Sequence, residues 1–539
     1  MRGKIVLLAL LFFCPALFGQ QPIPGDINGD GKVDSTDVNR GVQIALEQPP
    51  PATQTELAAG DMNRDGRITV QDLVFIRSTI AGVNRPPVAD ASASPDSGLA
   101  GNDIQLNATN SFDLDGDTLT YHWLQLHMNR YSTEYMTENH AVLSDSTSAT
   151  PTFNPEWPGN YRFELQVSDA AGLVEKDTID LLVGREGGRQ LDMKGIVFWD
   201  GFGHQDHSPE FDITPDDSVK RAAVLSQAMV GPARANAEWV QIVPAVNYLQ
   251  INPLPKIAPL HNDQDLTNEA DFAAIVNAAK TKGLKFIYEQ GDVSADVDPL
   301  RPGEIDSLEI LANTSPAWWE AWFDEFKNIL LDRADWCEQY GVDMFVIMHF
   351  AEWTFRPSVY PQYGDRWREI VTAIRGRYNG PIAIDVFSPD NLNFADALDA
   401  VQITVFGQLY TSFAGFDDPR NPTMDEIRTH TENFFDGHES NLAGKAPVHY
   451  VFKINSSDGQ VFSEPPPPVT ELDYREQVLY HEAFFQAIED ESWIEGVISE
   501  RWAWFDVLDY PGIFADAFLD ASPRNKPTEE LMKLWFKIY

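Results

Sequence analysis

The sequence predicts a multidomain chain: a small α-helical module, then a β-sandwich, then a C-terminal (β/α)8 TIM barrel. Three observations carry this. An imperfect twelve-residue repeat lies near the start; short β-rich runs broken by turns follow; then eight short apolar runs alternate with helix-length patterns over about 350 residues. A chain of 539 residues exceeds what one hydrophobic core organises. Pro and Gly punctuation at Gly82–Pro87 and Gly184–Arg189 separates the parts. The expected boundaries are 1–19 for a leader, 22–84 for the α module, 86–184 for the sandwich and 191–539 for the barrel.

The leader begins Met1-Arg2-Gly3-Lys4, continues as an apolar run from Ile5 to Phe18 and ends in Gly19-Gln20-Gln21. A basic start, a short apolar segment and a small residue describe a signal peptide cut near Gly19. Phe12, Phe13 and Pro15 around Cys14 do not suit a lipoprotein site, and no later run reaches 18 consecutive apolar residues. The expectation is a secreted, extracellular protein, free or held at a cell surface, with no membrane insertion. Removal of the leader leaves only Cys337, so no intramolecular disulfide forms; its helical context reads as a packed thiol. Lys and Arg total 39 against 82 Asp and Glu, a formal charge of −43, which excludes nucleic acid and anionic membranes as partners.

Asp26-Ile27-Asn28-Gly29-Asp30-Gly31-Lys32-Val33-Asp34-Ser35-Thr36-Asp37 recurs as Asp61-Met62-Asn63-Arg64-Asp65-Gly66-Arg67-Ile68-Thr69-Val70-Gln71-Asp72. Side-chain oxygens at loop positions 1, 3, 5, 9 and 12, with Gly at position 6, are what a seven-coordinate hard cation requires. Asp26, Asn28, Asp30, Asp34 and Asp37 are the first set; Asp61, Asn63, Asp65, Thr69 and Asp72 are the second. Lys32 and Arg67 would give backbone carbonyls, so two Ca2+ ions are expected. Each loop runs into an amphipathic segment, with Val38, Val42, Ala45 and Leu46 after the first and Leu73, Val74, Ile76 and Ile80 after the second. This loop-then-helix form, with Asp at position 12, resembles the dockerin family. The resemblance implies a cohesin-bearing scaffold partner contacted through Ser35-Thr36 and Val70-Gln71; a calcium-stapled module without such a partner is the alternative.

From Arg85 to Val183 the β-rich runs are Ile104 to Leu106, Leu119 to Trp123, Tyr161 to Val167 and Thr178 to Leu182. Ser111 to Trp123 and Gly159 to Gly172 resemble the opening and penultimate strands of a PKD domain, an immunoglobulin-like sandwich with Trp123 as core aromatic. A spacer or weak contact surface is implied. Asp113, Asp115 and Asp117 are either a cation site or a solvated turn.

The eight runs of the last segment are Met193 to Trp199, Trp239 to Val246, Leu284 to Glu289, Asp343 to His349, Pro381 to Phe387, Val401 to Phe406, Val448 to Ile454 and Gly496 to Trp502. Barrel chemistry sits where strands end at the C-terminal face. Those ends carry Trp199, Asn247, Tyr248, Glu289, Glu352, Trp353, Asp385, Lys453, Glu500, Trp502 and Trp504. Carboxylates beside aromatics suit sugars, whose apolar faces stack and whose hydroxyls bond. Polysaccharide is therefore the expected ligand. His204 and His207 read as a solvated strand-one loop sooner than a metal site.

Ala237 to Pro244, Trp318 to Phe323 with Gly341 to Val346, Trp367 to Ile370 with Tyr378 to Gly380, and Tyr474 to Phe485 resemble the (β/α)8 glycosidases of the large retaining clan. They are most similar to the β-mannanase-like barrels of glycoside hydrolase family 113. The resemblance implies hydrolysis of O-glycosidic bonds in a mannan-, glucan- or xylan-like polysaccharide, without a catalytic cofactor. It makes Glu352, closing strand four, the general acid/base. It also requires a nucleophilic Glu closing strand seven, and there the sequence departs, with Lys453 in its place. A Lys forms no glycosyl ester. Glu500 on strand eight is the substitute second carboxylate, and the strand-four to strand-eight span leans towards the inverting separation of roughly 6.5–9.5 Å. The alternatives are a silent barrel that binds glycan and, third, Lys453 as a Schiff-base or electrostatic group.

Circular dichroism of residues 20–84 should show helix gained on calcium addition and lost on chelation; a fold equal in both conditions refutes the ion sites.

Overall fold

The computed structural model describes residues 22–539 except 130, 132, 133, 138, 186–189, 199–224, 245, 251–252, 260–268, 292, 295–314, 350–359, 387, 406–422, 443, 453, 455–471, 501 and 503–521. The leader therefore lies outside the described residues, as do His204 and His207.

The α module holds α1 (Ser35–Ala45), α2 (Gln54–Gly60) and α3 (Val70–Ala81). Each start is fixed by a reciprocal side-chain cap, from Asp34 with Asp37, Thr53 with Glu56, and Thr69 with Asp72. α2 is marked in the sequence only by that Thr53–Glu56 box. Ile27, Met62, Ile68, Leu73, Phe75 and Ile76 make the core. Val42, Leu46, Val74 and Ile80, read from sequence as part of the amphipathic segments, are exposed. α1 meets α3 at Gly41, where a Cβ would lie 2.4 Å from Leu73 Cδ2, so only a glycine admits this close contact.

The second module is a sandwich of two sheets. One contains β1 (Ser92–Ser94), β3 (Ile104–Asn107) and β5 (Thr152–Phe153) in the order β1-β3-β5. The other contains β2 (Gly98–Leu99), β4 (Thr120–Gln125), β6 (Gly159–Ser168) and β7 (Val174–Gly184) in the order β2-β7-β6-β4. Along β6 every second residue is buried, the period-two pattern of a strand with one face on the core. Trp123 is buried among Tyr161, Phe163 and Leu165, as the sequence predicts, and its Nε1 donates to the Ser148 carbonyl at 3.2 Å.

The third module is a closed parallel barrel of β8 (Met193–Phe198), β9 (Trp239–Ile242), β12 (Lys285–Glu289), β14 (Met344–Val346), β15 (Ile382–Val386), β16 (Ala400–Val405), β17 (Val448–Phe452) and β18 (Ile494–Ser499). These are the eight runs read from sequence. β18 pairs back on β8 from Gly496 opposite Met193 to Ser499 opposite Ile196, which closes the ring. Between strands run α4 (Val230–Arg234), α5 (Glu269–Thr281), α6 (Pro316–Tyr340), α7 (Gly364–Arg375), α8 (Met424–Leu442), α9 (Tyr474–Ile488) and, after β18, α10 (Pro527–Ile538).

One expectation needs correction. The second run does not extend to Val246: Pro244 lacks the N–H that would continue the ladder, and β9 stops at Ile242. The chain then enters a separate sheet, β11 (Lys256–Pro259), β10 (Val246–Gln250) and β13 (Val293–Ser294), in the order β11-β10-β13. Asn247 and Tyr248 belong to β10 and not to a barrel strand end.

α6 shows how the shell is built. Ser315 caps its first turn, Pro316 opens it, and Gly341 ends it in the left-handed region at φ 66°. Trp318, Trp322, Phe326, Ile329, Leu330, Arg333, Ala334 and Cys337 recur at three- and four-residue spacing and are buried. Cys337 is thus the packed thiol expected, and burial pushes its pKa up. Trp322 stacks on Phe326 and donates Nε1–H to the Tyr248 hydroxyl at 2.9 Å. Trp322→Ala should cost about 3–5 kcal/mol; an unchanged urea midpoint would show that α6 is not locked by this ring.

Candidate active site

Alternation along each strand sorts the barrel residues. Met193, Val197, Trp239, Ile287, Met344, Val346, Ala383, Ala400, Val451 and Ile498 fill the interior as an apolar floor. Side chains two residues further along point the same way. Those next positions are polar: Gln241 on β9, Glu289 on β12, Asp385 on β15 and Gln402 on β16, with Thr404 beyond it. All five are buried. The polar layer therefore rests on the apolar one towards the C-terminal ends of the strands.

Its bonds form one network. Gln241 and Gln402 exchange amide hydrogen bonds at 3.1 and 3.0 Å, and Gln241 Nε2 also donates to Glu289 Oε2. Thr404 Oγ1 donates to Asp385 Oδ2 at 2.6 Å. His349 comes in just past β14, its backbone N–H bonded to the Gln290 carbonyl at 2.7 Å. Its Nδ1 lies 2.8 Å from Glu289 Oε1 and 3.3 Å from Asp385 Oδ2.

Burial pushes the Glu289 carboxyl well above its ordinary range, with the imidazole of His349 opposing and Asp385 adding to the rise. Burial alone would lower His349, but the charge of Glu289 and bonds to both carboxylates raise it well above the usual histidine range. Glu289 and His349 thus both hold a proton more tightly than usual in a dry interior, with Asp385 beside them.

Glu500 is also buried here. It follows Ile498 on the inward row of β18, and its N–H donates to the Phe452 carbonyl at 2.9 Å, so it stands level with the end of β17. His449, inward on β17, is buried next to Gly496 and Met193, and burial lowers it to about 4, leaving a neutral imidazole.

Of the residues assigned from sequence, Glu289, Asp385 and Glu500 come to this interior. Glu352, Trp199, Trp353, Lys453 and Trp504 lie outside the described residues, as does the side chain of Asn247. Tyr248 and Trp502 depart from the expected sugar platforms. Tyr248 is buried on the side sheet against Trp318 and bonded to Trp322. Trp502 is 1 % exposed, its indole seated where a Cβ on Gly231 would lie 2.8 Å away, so it packs β18 onto α4. Gln241, Gln402, Thr404 and His449 carry no signal in the sequence beyond inward parity along their strands, and His349, off the parity of Met344 and Val346, carries none.

The two acidic loops also converge. Asp26 accepts the amides of Asp30 and Gly31 at 3.0 and 2.8 Å, and Asp61 those of Asp65 and Gly66 at 3.0 and 2.8 Å. Asp37 accepts from Asn28 N and Asp34 N, and Asp72 from Met62 N and Thr69 N. Gly31 and Gly66 turn at φ 86° and 88°. Fully buried Asp37 and Asp72 close an oxygen-only donor set whose chemistry fits a hard divalent cation. In the sandwich, of the three acids read as either a cation site or a solvated turn, Asp115 pairs with Arg85 at 2.8 Å, and Asp169 lies beside Asp113 and Asp117.

Models of three families match the chain: Glycoside Hydrolase Family 113 over residues 226–511, the Dockerin type I domain over 24–81 and a Bacterial Ig domain over 84–181. No curated protein matches it. Among solved structures, a GH113 β-mannanase from Alicyclobacillus acidocaldarius is 18% identical, with 65% of this chain and 99% of that chain covered and a TM-score of 0.47. A GH113 β-1,4-mannanase gives the same identity and coverages at 0.46. A family 5 mannosidase from Rhizomucor miehei is 12% identical over 66% of this chain and 94% of that one, at 0.42. Among the described residues no helix is long and apolar enough to cross a membrane.

The raised values of Glu289 and His349 in the folded state favour their protonated forms, so the stability they contribute is complete at low pH and is lost as pH rises through their folded values. Melting temperature should fall as pH rises from 5 to 9, and Glu289→Gln should flatten that fall; a parallel profile in the variant would remove Glu289 from the coupling.

Proposed function

Because this chain belongs to glycoside hydrolase family 113, we propose that it is a secreted enzyme hydrolysing O-glycosidic bonds in a mannan-, glucan- or xylan-like polysaccharide, docked through its dockerin module. The observation that supports it best is the buried Glu500 at the C-terminal end of β18, next to the strand that ends where Lys453 stands in the sequence. In this reading Glu352 gives its proton to the glycosidic oxygen as the bond to the anomeric carbon breaks. Glu500 takes a proton from water as that water's oxygen bonds to the same carbon. Lys453 excludes a glycosyl-enzyme ester on strand seven, so the reaction runs in one displacement with inversion. Trp199, Trp353 and Trp504 offer ring faces to the sugar, and Asn247 offers an amide. No cofactor takes part.

Two Ca2+ ions would be held by Asp26, Asn28, Asp30, Asp34, Asp37 and the Lys32 carbonyl, and by Asp61, Asn63, Asp65, Thr69, Asp72 and the Arg67 carbonyl. They supply the loop order that presents α1 and α3 to a cohesin-bearing scaffold. Within the Ig-like class, the Ser111–Trp123 segment favours a PKD-type sandwich. The loss of the strand-seven Glu favours one second reading, a barrel that binds glycan without cleaving it.

Assays of wild type, Glu352→Gln and Glu500→Gln on β-mannans, glucans and xylans separate the two. Hydrolysis is expected in the wild type, with rate losses of about 100-fold or more in each variant. Wild-type inactivity on every polymer, with binding retained in affinity electrophoresis, supports the binder. Unchanged turnover in either variant removes that residue from the mechanism.

A further inference from the structure

α9 is unlike a helix of an ordinary barrel shell. Such helices keep one face in water, yet every residue of α9 except Arg475 is buried. Its outward side carries Glu482 and Gln486, and Glu489 follows at its C-terminal cap, groups that seldom leave water without partners.

The partners come largely from the sandwich. The connection between β4 and β5 sends Met128 into the barrel's hydrophobic core, with Tyr135 and Met136 packed against it. Asn139, 3 % exposed, follows on the same arm. Its Nδ2 donates to Glu482 Oε1 and to the Pro158 carbonyl, each at 3.2 Å, and its Oδ1 accepts from Gln486 Nε2 at 2.6 Å. Glu482 is completed by Gln486 Nε2 at 3.3 Å and by Trp535 Nε1 of α10 at 3.2 Å. Arg185 pairs with Glu489 at the foot of the module, and the guanidinium of Arg428 on α8 lies 4.5 Å from the Trp157 ring centre. Gly159 leaves room for this contact, since a Cβ there would stand 2.7 Å from Asn139 Nδ2.

We propose that the Ig-like module is no detachable spacer: its β4–β5 arm is a permanent part of the barrel's shell, and the two modules fold and melt as one unit. Stripped of the arm, α9 would present Glu482 and Gln486 on an otherwise apolar surface with Met128, Tyr135 and Met136 withdrawn. α9 packs between α8 and α10 and leads into β18, so the arm also steadies the strand that carries Glu500. The inference concerns folding and stands whether or not the barrel cleaves sugar.

Calorimetry of the full mature chain with calcium should show one transition for sandwich and barrel together. Trp123→Ala, in the sandwich core, should lower that whole transition, read at the barrel by near-ultraviolet dichroism. Asn139→Asp, which sets a second carboxylate against Glu482, should lower it by about 2–6 °C. Because either variant could fail to fold, a protease site placed within 186–189 gives an independent measurement: after cutting the folded chain that carries this site and no other change, the two fragments should co-elute on size exclusion. Separate wild-type transitions, a barrel that melts unchanged in Trp123→Ala, or fragments that part after cutting would each overturn the proposal.

Discussion

Closure of the parallel ladder, from β18 back to β8, governs most of what this molecule can do. A closed barrel has no sheet edge, and its registers fix which side chains face the axis. With the parity set, the apolar floor of Met193, Trp239, Ile287, Met344 and Ile498 excludes water from below. The next inward positions must then satisfy one another. Gln241 and Gln402 do so as a reciprocal amide pair, and Glu289 and Asp385 do so by both contacting His349 Nδ1, at 2.8 and 3.3 Å. The unusual acidity of the site follows from packing: a carboxyl denied water rises, and an imidazole between two carboxylates rises with it.

The same economy of polar groups explains the junction between modules. A helix whose sequence reads Tyr474 to Ile488 with Glu476, Glu482 and Gln486 among aromatics does not name its neighbours. Asn139 is a suitable neighbour because a primary amide donates and accepts at once, meeting a carboxylate and a second amide with one side chain. The helix that meets Asn139 is also the one that leads into β18, so the junction and the end of that strand lie on one run of chain.

Much of the fold was legible. Eight apolar runs separated by helix-length patterns became eight parallel strands, and the twelve-residue repeat became two loops closed by Asp37 and Asp72. The site was legible only in part. Glu289, Asp385 and Glu500 stand out as carboxylates at strand ends, whereas Gln241, Gln402 and His349 gain meaning only from facing them. Tyr248 and Trp502 show the converse. An aromatic at a strand end can serve a sugar or a neighbouring helix, and here Trp322 and Gly231 take them.

The sequence by itself determined the periodic features: the two twelve-residue acidic loops, the alternation of the sandwich, the number of barrel strands and the Lys at position 453. Each is written in spacing along the chain, and spacing dictates local structure directly. Tertiary structure decided which buried polar groups meet, where strand two ends, and that the sandwich covers α9. Those outcomes depend on contacts between residues hundreds apart, such as Asn139 with Glu482, where only the closed fold sets the distance.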